Sequence, residues 1–209
     1  IKTLHDNNIN VVMDVVYNHV YDAETFSFNQ VVPKYFSRTK EDGTYVIKKA
    51  SELAAILELA TNGKENPGNL TLSIEANLDM NNLLWTPTVV DGYNGVDIVT
   101  ILGNDNKITG LAAPLFEGGF AGESGIVIKD LTIANSNIVS LNNQGSGAFI
   151  ESVDSMEQIT LINCHLINSK VSGSRTGGLI GWTSGYDNVN DGSVKTYITV
   201  KECSIINSE

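Results

Sequence analysis

The sequence predicts a mainly-β chain, a right-handed parallel β-helix entered through a capping helix and preceded by a short α/β segment. Three observations point there. Ile126–Ser136, Ile159–Ser169 and Ile198–Ser208 superimpose without gaps, each alternating apolar and polar residues before ending in Asn-Ser. A shorter set, Pro114–Gly118, Ala148–Ser152 and Gly178–Trp182, accompanies them, so each repeat carries at least two strands. A stretch with helical apolar spacing, Ser51–Ala60, precedes them all. Self-similarity of this kind, with Gly- and Asn-rich corners, marks a solenoid whose stacked coils bury what one coil alone would expose.

Taken in order, Ile1–Asn8 has the apolar spacing of a helix's last turns, with His5 capping or ending it and Asn7-Asn8 closing it. Ile9–Tyr17 is a nearly continuous apolar run rich in β-branched residues, as in a strand buried on both faces of a parallel sheet. Its polar end is Asn18-His19. In a parallel α/β barrel the carboxyl ends of the strands face the active site, where polar side chains meet substrate.

Leu4–Tyr21, with Asp14-Val15-Val16-Tyr17-Asn18-His19 at its centre, resembles the first conserved region of the α-amylase superfamily, most closely its pullulanase-type debranching members. Phe28–Arg38 continues that pattern, so the resemblance covers residues 1 to about 45. It implies that residues 1–43 are a truncated βα fragment of a (β/α)8 barrel. It also implies sugar-binding roles: Asp14 organising the charged floor, Asn18 structural or near calcium, His19 bonding a glucose hydroxyl. None of these is a nucleophile or proton donor. A retaining glycosidase needs two carboxyls about 5–5.5 Å apart, which the family takes from later strands carrying Arg-x-Asp, a separate Glu and Asn-His-Asp. The only arginines are Arg38 and Arg175, neither two residues before an Asp, and His165 has no Asn-His-Asp setting. The chain is therefore expected to be inactive as a hydrolase and to use no cofactor, with an α-glucan or other glycan as the partner that the resemblance suggests.

The character of the chain changes near Arg38–Thr44, from α/β-like to a sequence rich in Gly, Asn, Ser, Thr and branched apolar residues, which sets a second domain at 44–209. A true fusion and an assembly junction at this point both remain open. In Ser51–Ala60 the Ser is expected to cap a helix that Asn62-Gly63 closes. Such a helix would cover the open strand edges of the first coil. Leu70–Ala76 then alternates as a strand, Trp85 before Pro87 covers the core near the cap, and Ile98–Leu111 is expected to begin the stacked run.

Within the repeats, Ile126, Ile159 and Ile198 form one ladder and Leu131, Cys164 and Cys203 another. Cysteine replacing leucine reads as a small buried apolar group rather than a disulfide or zinc ligand. Asn135, Asn168 and Asn207 stack at a turn, where Asn tolerates left-handed backbone. The pattern resembles the Gly-rich β-helix modules of large bacterial surface proteins, which implies a cell-surface or secreted location. The chain reads as a fragment at both ends, with no signal peptide visible in it.

A net charge of −11 with no basic patch argues against nucleic acid, and no run is long enough to span a membrane as a helix. Asp130 and Glu202 read as non-aligned neighbours, and Asp154, Asp187 and Asp191 as solvated corners. Asp187–Gly192 lacks the distant bidentate Glu of a calcium loop, so no metal site is assigned. Trp182 and Tyr186, in a Gly-rich corner, are the candidate sugar-stacking pair. Tyr93 reads as a turn residue, and His165 as an outward residue without a catalytic partner.

Overall fold

In a computed structural model of the chain the described residues are 39–61, 68–90, 96–118, 124–140, 145–154, 158–184 and 197–209. They fall within one compact unit, Ser37–Glu209. The segment expected to be a (β/α)8 fragment, with Asp14, Asn18 and His19, together with Tyr93, Tyr186, Asp187 and Asp191, lies outside the described residues.

The first elements are β1 (Tyr45–Ile47), α1 (Ala50–Thr61), β2 (Gly68–Ile74), β3 (Leu78–Asp79), β4 (Thr88–Val90), β5 (Val96–Thr109) and β6 (Phe116–Gly118). Then come β7 (Gly125–Ala134), β8 (Asn137–Val139), β9 (Ile150–Asp154), β10 (Gln158–Ile162), β11 (His165–Ile167) and β12 (Lys170–Ser172). The last are β13 (Ile180–Ser184), β14 (Tyr197–Lys201) and β15 (Ser204–Ile206).

Every pairing between these strands is parallel. The main sheet runs β1-β2-β5-β7-β10-β14, a second runs β4-β6-β9-β13, and β8 pairs β12 in a third. Strands adjacent in a sheet are one coil apart in sequence, which makes the unit a parallel β-solenoid of about four turns. The register follows the sequence repeat. Ile126 aligns with Ile159 and Ile159 with Ile198, while in the second sheet Phe116 aligns with Ile150 and Ile150 with Ile180. Alternation sends Ile126, Ile128, Ile159 and Leu161 into a fully buried core with Phe116, Phe149 and Ile150.

Two left-handed positions per coil shape the winding. Asp130, Asn163 and Glu202 have φ of 54°, 51° and 58°, and Asn135, Asn168 and Asn207 have φ of 48°, 49° and 49°. The first set kinks the strand so that Leu131, Cys164 and Cys203 return to the core side. The second set turns the corner, where a non-Gly residue other than Asn or Asp would be costly. These positions correct the sequence reading of Asp130 and Glu202: the two occupy one aligned site with Asn163 between them.

After each corner a serine locks one coil to the next. Ser136 N–H donates to Ser169 Oγ and Ser169 N–H to Ser208 Oγ, both at 3.1 Å, while Leu111 N–H donates to Ser136 Oγ at 3.1 Å. Cys164 is buried, its thiol within 3.4 Å of the Ile128 carbonyl, and burial pushes its pKa up to about 12. It packs as the small apolar group the sequence suggests.

Two further expectations need correction. Stacking begins before Ile98, since β1 and β2 already pair in register, Leu72 aligning with Tyr45 on one side and Ile101 on the other. Helix α1 starts at Ala50 rather than after a Ser51 cap. Its first turn is closed by Glu52, whose carboxylate accepts the N–H groups of Lys48 (2.7 Å) and Lys49 (3.1 Å), the reaching-back half of a capping box. Leu53 and Leu57 on its inner face are buried with Ile47, so α1 plugs the first end of the core.

Candidate functional site

One polar network on the solenoid wall crosses three coils. Lys129, Ile162 and Lys201 pair in register, and the left-handed residue after each projects a side chain beside the next rung. Asn163 Nδ2 donates to Asp130 Oδ1 at 2.8 Å, Asn163 Oδ1 lies 2.9 Å from His165 Nε2, and His165 Nδ1 lies 2.8 Å from Ser204 Oγ. The chemistry of the amide sets the imidazole. With its NH2 donating to the carboxylate, Asn163 presents its oxygen to His165, so Nε2 carries the hydrogen and Nδ1 accepts from the Ser204 hydroxyl.

A hydroxyl, an imidazole base and an orienting amide in one line have the order of a nucleophile system. What such a system also requires is a pair of donors for the oxyanion. Ser204 N–H, the donor closest in sequence, is engaged with the Cys164 carbonyl at 3.1 Å. The network ties rungs together, and His165, read from the sequence as lacking a catalytic partner, has Asn163 and Ser204 as hydrogen-bond partners. Asn163 and Ser204 were missed in sequence; aligning Asp130, Asn163 and Glu202 would have put an amide beside His165.

A second group of residues lies along the second sheet. Trp182, half-buried in β13, has the Arg175 guanidinium over its ring at 4.9 Å from the centroid. Arg175 is itself left-handed at φ 49°. The neighbouring Gly181 has no room for a side chain: a Cβ there would come within 2.2 Å of Ser146 N and of the Glu151 carbonyl. Glu151 is buried and accepts a hydrogen bond from Ser140 Oγ. Half-buried Glu117 stands one rung below it, and burial first, then the Glu151 charge, push its carboxyl above the ordinary range. The two glutamates share one repeat position, Phe116-Glu117 and Ile150-Glu151, a signal present in the sequence.

Trp85 is buried where the sequence placed it, its indole N–H donating to the Pro114 carbonyl at 3.0 Å. The structure brings Trp182 together with Arg175 rather than with a described second aromatic. Among the described residues no three His, Cys, Asp or Glu side chains gather as metal ligands, and no helix is long and apolar enough to cross a membrane.

No family model matches the chain. Over 43 residues it is 49% identical to a pullulanase of Bacillus subtilis (strain 168), a match covering 21% of this chain and 6% of that protein. The chain thus spans a small part of that relative's length. Among solved structures it is similar to one described as a "putative immunoglobulin A1 protease" from Bacteroides ovatus, with a TM-score of 0.48 and 16% identity over 81% of this chain and 66% of that one. The first likeness, short as it is, agrees with the resemblance to pullulanase-type enzymes read from the sequence.

Proposed function

We propose that residues 44–209 are a non-enzymatic β-solenoid module of a bacterial surface or secreted protein, and that residues 1–43 derive from a pullulanase-like α-glucan hydrolase without keeping its activity. The observation that carries the reading is the use of the wall's polar groups. Ser136, Ser169 and Ser208, and Asp130, Asn163, His165 and Ser204, bond from coil to coil. Groups so engaged stiffen a rod; a hydrolase would turn them toward a substrate. The winding is taken as right-handed, the sense that parallel crossovers favour. Incubating the purified chain with pullulan tests the loss of hydrolase activity: no reducing ends above a heat-killed control are expected, and their appearance would overturn it.

A second reading rests on the Trp182 and Arg175 pair. With the Arg175 guanidinium over one face of the half-buried indole, a sugar would stack on the opposite face while the guanidinium N–H groups donate to its hydroxyls. A glycan array supports it if binding is present and is lost in Trp182→Ala. Binding to no glycan leaves the scaffold role alone.

A further inference from the structure

In the middle of the second sheet, the pairing of two coils stops at two carboxyls. Strands β4 and β6 pair from Thr88 with Phe116 to Val90 with Gly118, and β9 and β13 from Ile150 with Ile180 to Asp154 with Ser184. Between β6 and β9 the register holds at Phe116 with Ile150 and does not continue to the next residues, Glu117 and Glu151. Leu115 N–H donates to the Ala148 carbonyl at 3.1 Å and Phe116 N–H to the Phe149 carbonyl at 3.0 Å, so these bonds across the seam lie on one side of the glutamates.

No cation on these strands offsets the two charges. In sequence β4, β6, β9 and β13 carry Glu117, Glu151 and Asp154 and no Lys, Arg or His. Val89 of β4 stands beside Glu117. Ile180 aligns with Ile150 and Trp182 with Ser152, which puts Gly181, without a side chain, opposite Glu151. Ser140, just after β8, donates to buried Glu151, and the Arg175 guanidinium is turned over the Trp182 ring. Like charges opposed across paired strands destabilise the pairing, more strongly where water is excluded.

We propose that the β6–β9 seam is a pH-operated joint, closed when the Glu117–Glu151 pair holds a proton and locally open when both carboxyls are ionised, while the main sheet stays paired. One rung apart is about 4.7–4.9 Å, within reach of two glutamate side chains. Protonated, Glu117 supplies an O–H donor to the carboxylate above it; ionised, both groups are acceptors only. Burial first, then the Glu151 charge, hold the Glu117 carboxyl above its ordinary value. The closed form is therefore fully present below 4.5 and is lost as pH rises through the folded value. The joint rests on the solenoid fold and on neither reading of its function.

Amide hydrogen exchange of the full chain, followed by NMR from below pH 4.5 to neutral pH and corrected for the intrinsic pH dependence of exchange, tests it. Leu115 and Phe116 N–H report the seam. Asn135 N–H, which donates to the Ile167 carbonyl at 3.1 Å, is the control in the main sheet. Protection at Leu115 and Phe116 should fall about two- to fivefold as pH rises, the size that opposed like charges produce, while Asn135 keeps its protection. In Glu117→Gln, and separately in Glu151→Gln, the fall should vanish. A fall shared equally by Asn135, no fall at Leu115 and Phe116, or a fall that persists in both variants would overturn the proposal.

Discussion

Ile159→Ala and Ile198→Ala truncate the same ladder position one coil apart, and the structure assigns them different consequences. Ile159 is fully buried between Ile126 and Ile198. Removing three carbons at about 0.8 kcal/mol each forfeits about 2.4 kcal/mol of transfer free energy. The cavity left between two fixed rungs adds to that, bringing the total to about 3–4 kcal/mol. Ile198 is 43% exposed, so 57% of the transfer contribution remains at stake, about 1.4 kcal/mol, and a site open to solvent leaves no closed cavity. Urea denaturation followed by far-UV circular dichroism reads both as shifts in midpoint, provided the slope is unchanged. Equal losses at the two positions would mean that Ile198 is as buried as Ile159, and the account of an open coil end would fail.

Asn168→Ala should cost about 1 kcal/mol, because alanine is strained at φ 49°, whereas Asn168→Gly should lie close to the native chain; thermal melts compare the two. Glu117 binds its proton more tightly folded than unfolded, so its contribution favours the fold below the ordinary carboxyl value of 4.5 and is lost as pH rises through the shifted folded value. Glu117→Gln should therefore raise the melting temperature at neutral pH and leave it nearly unchanged at pH well below 4.5, with an equal gain at both pH values contradicting the assignment. Cys164, protonated to about 12, should resist a thiol-directed reagent at mildly alkaline pH until the chain is unfolded in denaturant; mass spectrometry of digests reads which cysteine is modified.

The coil architecture was legible because its cause is a repeat. Aligned isoleucines, a Leu–Cys–Cys ladder and Asn-Ser corners leave little freedom in how the coils stack, and the observed registers at Ile126, Ile159 and Ile198 follow them. Less was legible where one residue departs from the pattern for a local reason. Ser51 looked like a cap by residue type, but the carboxylate of Glu52 reaches back to Lys48 and Lys49 and starts the helix two residues earlier, at Ala50. Strand β1 is only three residues long and gave no alternation to recognise, so the start of the stack was placed too late. The network around His165 depends on bonds between residues 33 and 39 apart, which pattern reading along one strand does not see.

A stack closed at its first end by α1 and extended through parallel edges also has a direction in time. During synthesis the helix and β1 emerge before any later coil, and each new coil then meets an edge already formed by its predecessor. At about 5–20 residues per second, a repeat of this length leaves the ribosome in a few seconds, long compared with strand pairing on the microsecond scale. Contacts that are distant along the finished sequence are thus formed one step at a time against a standing template, and the entropy of closing long loops is met in small instalments rather than in one search.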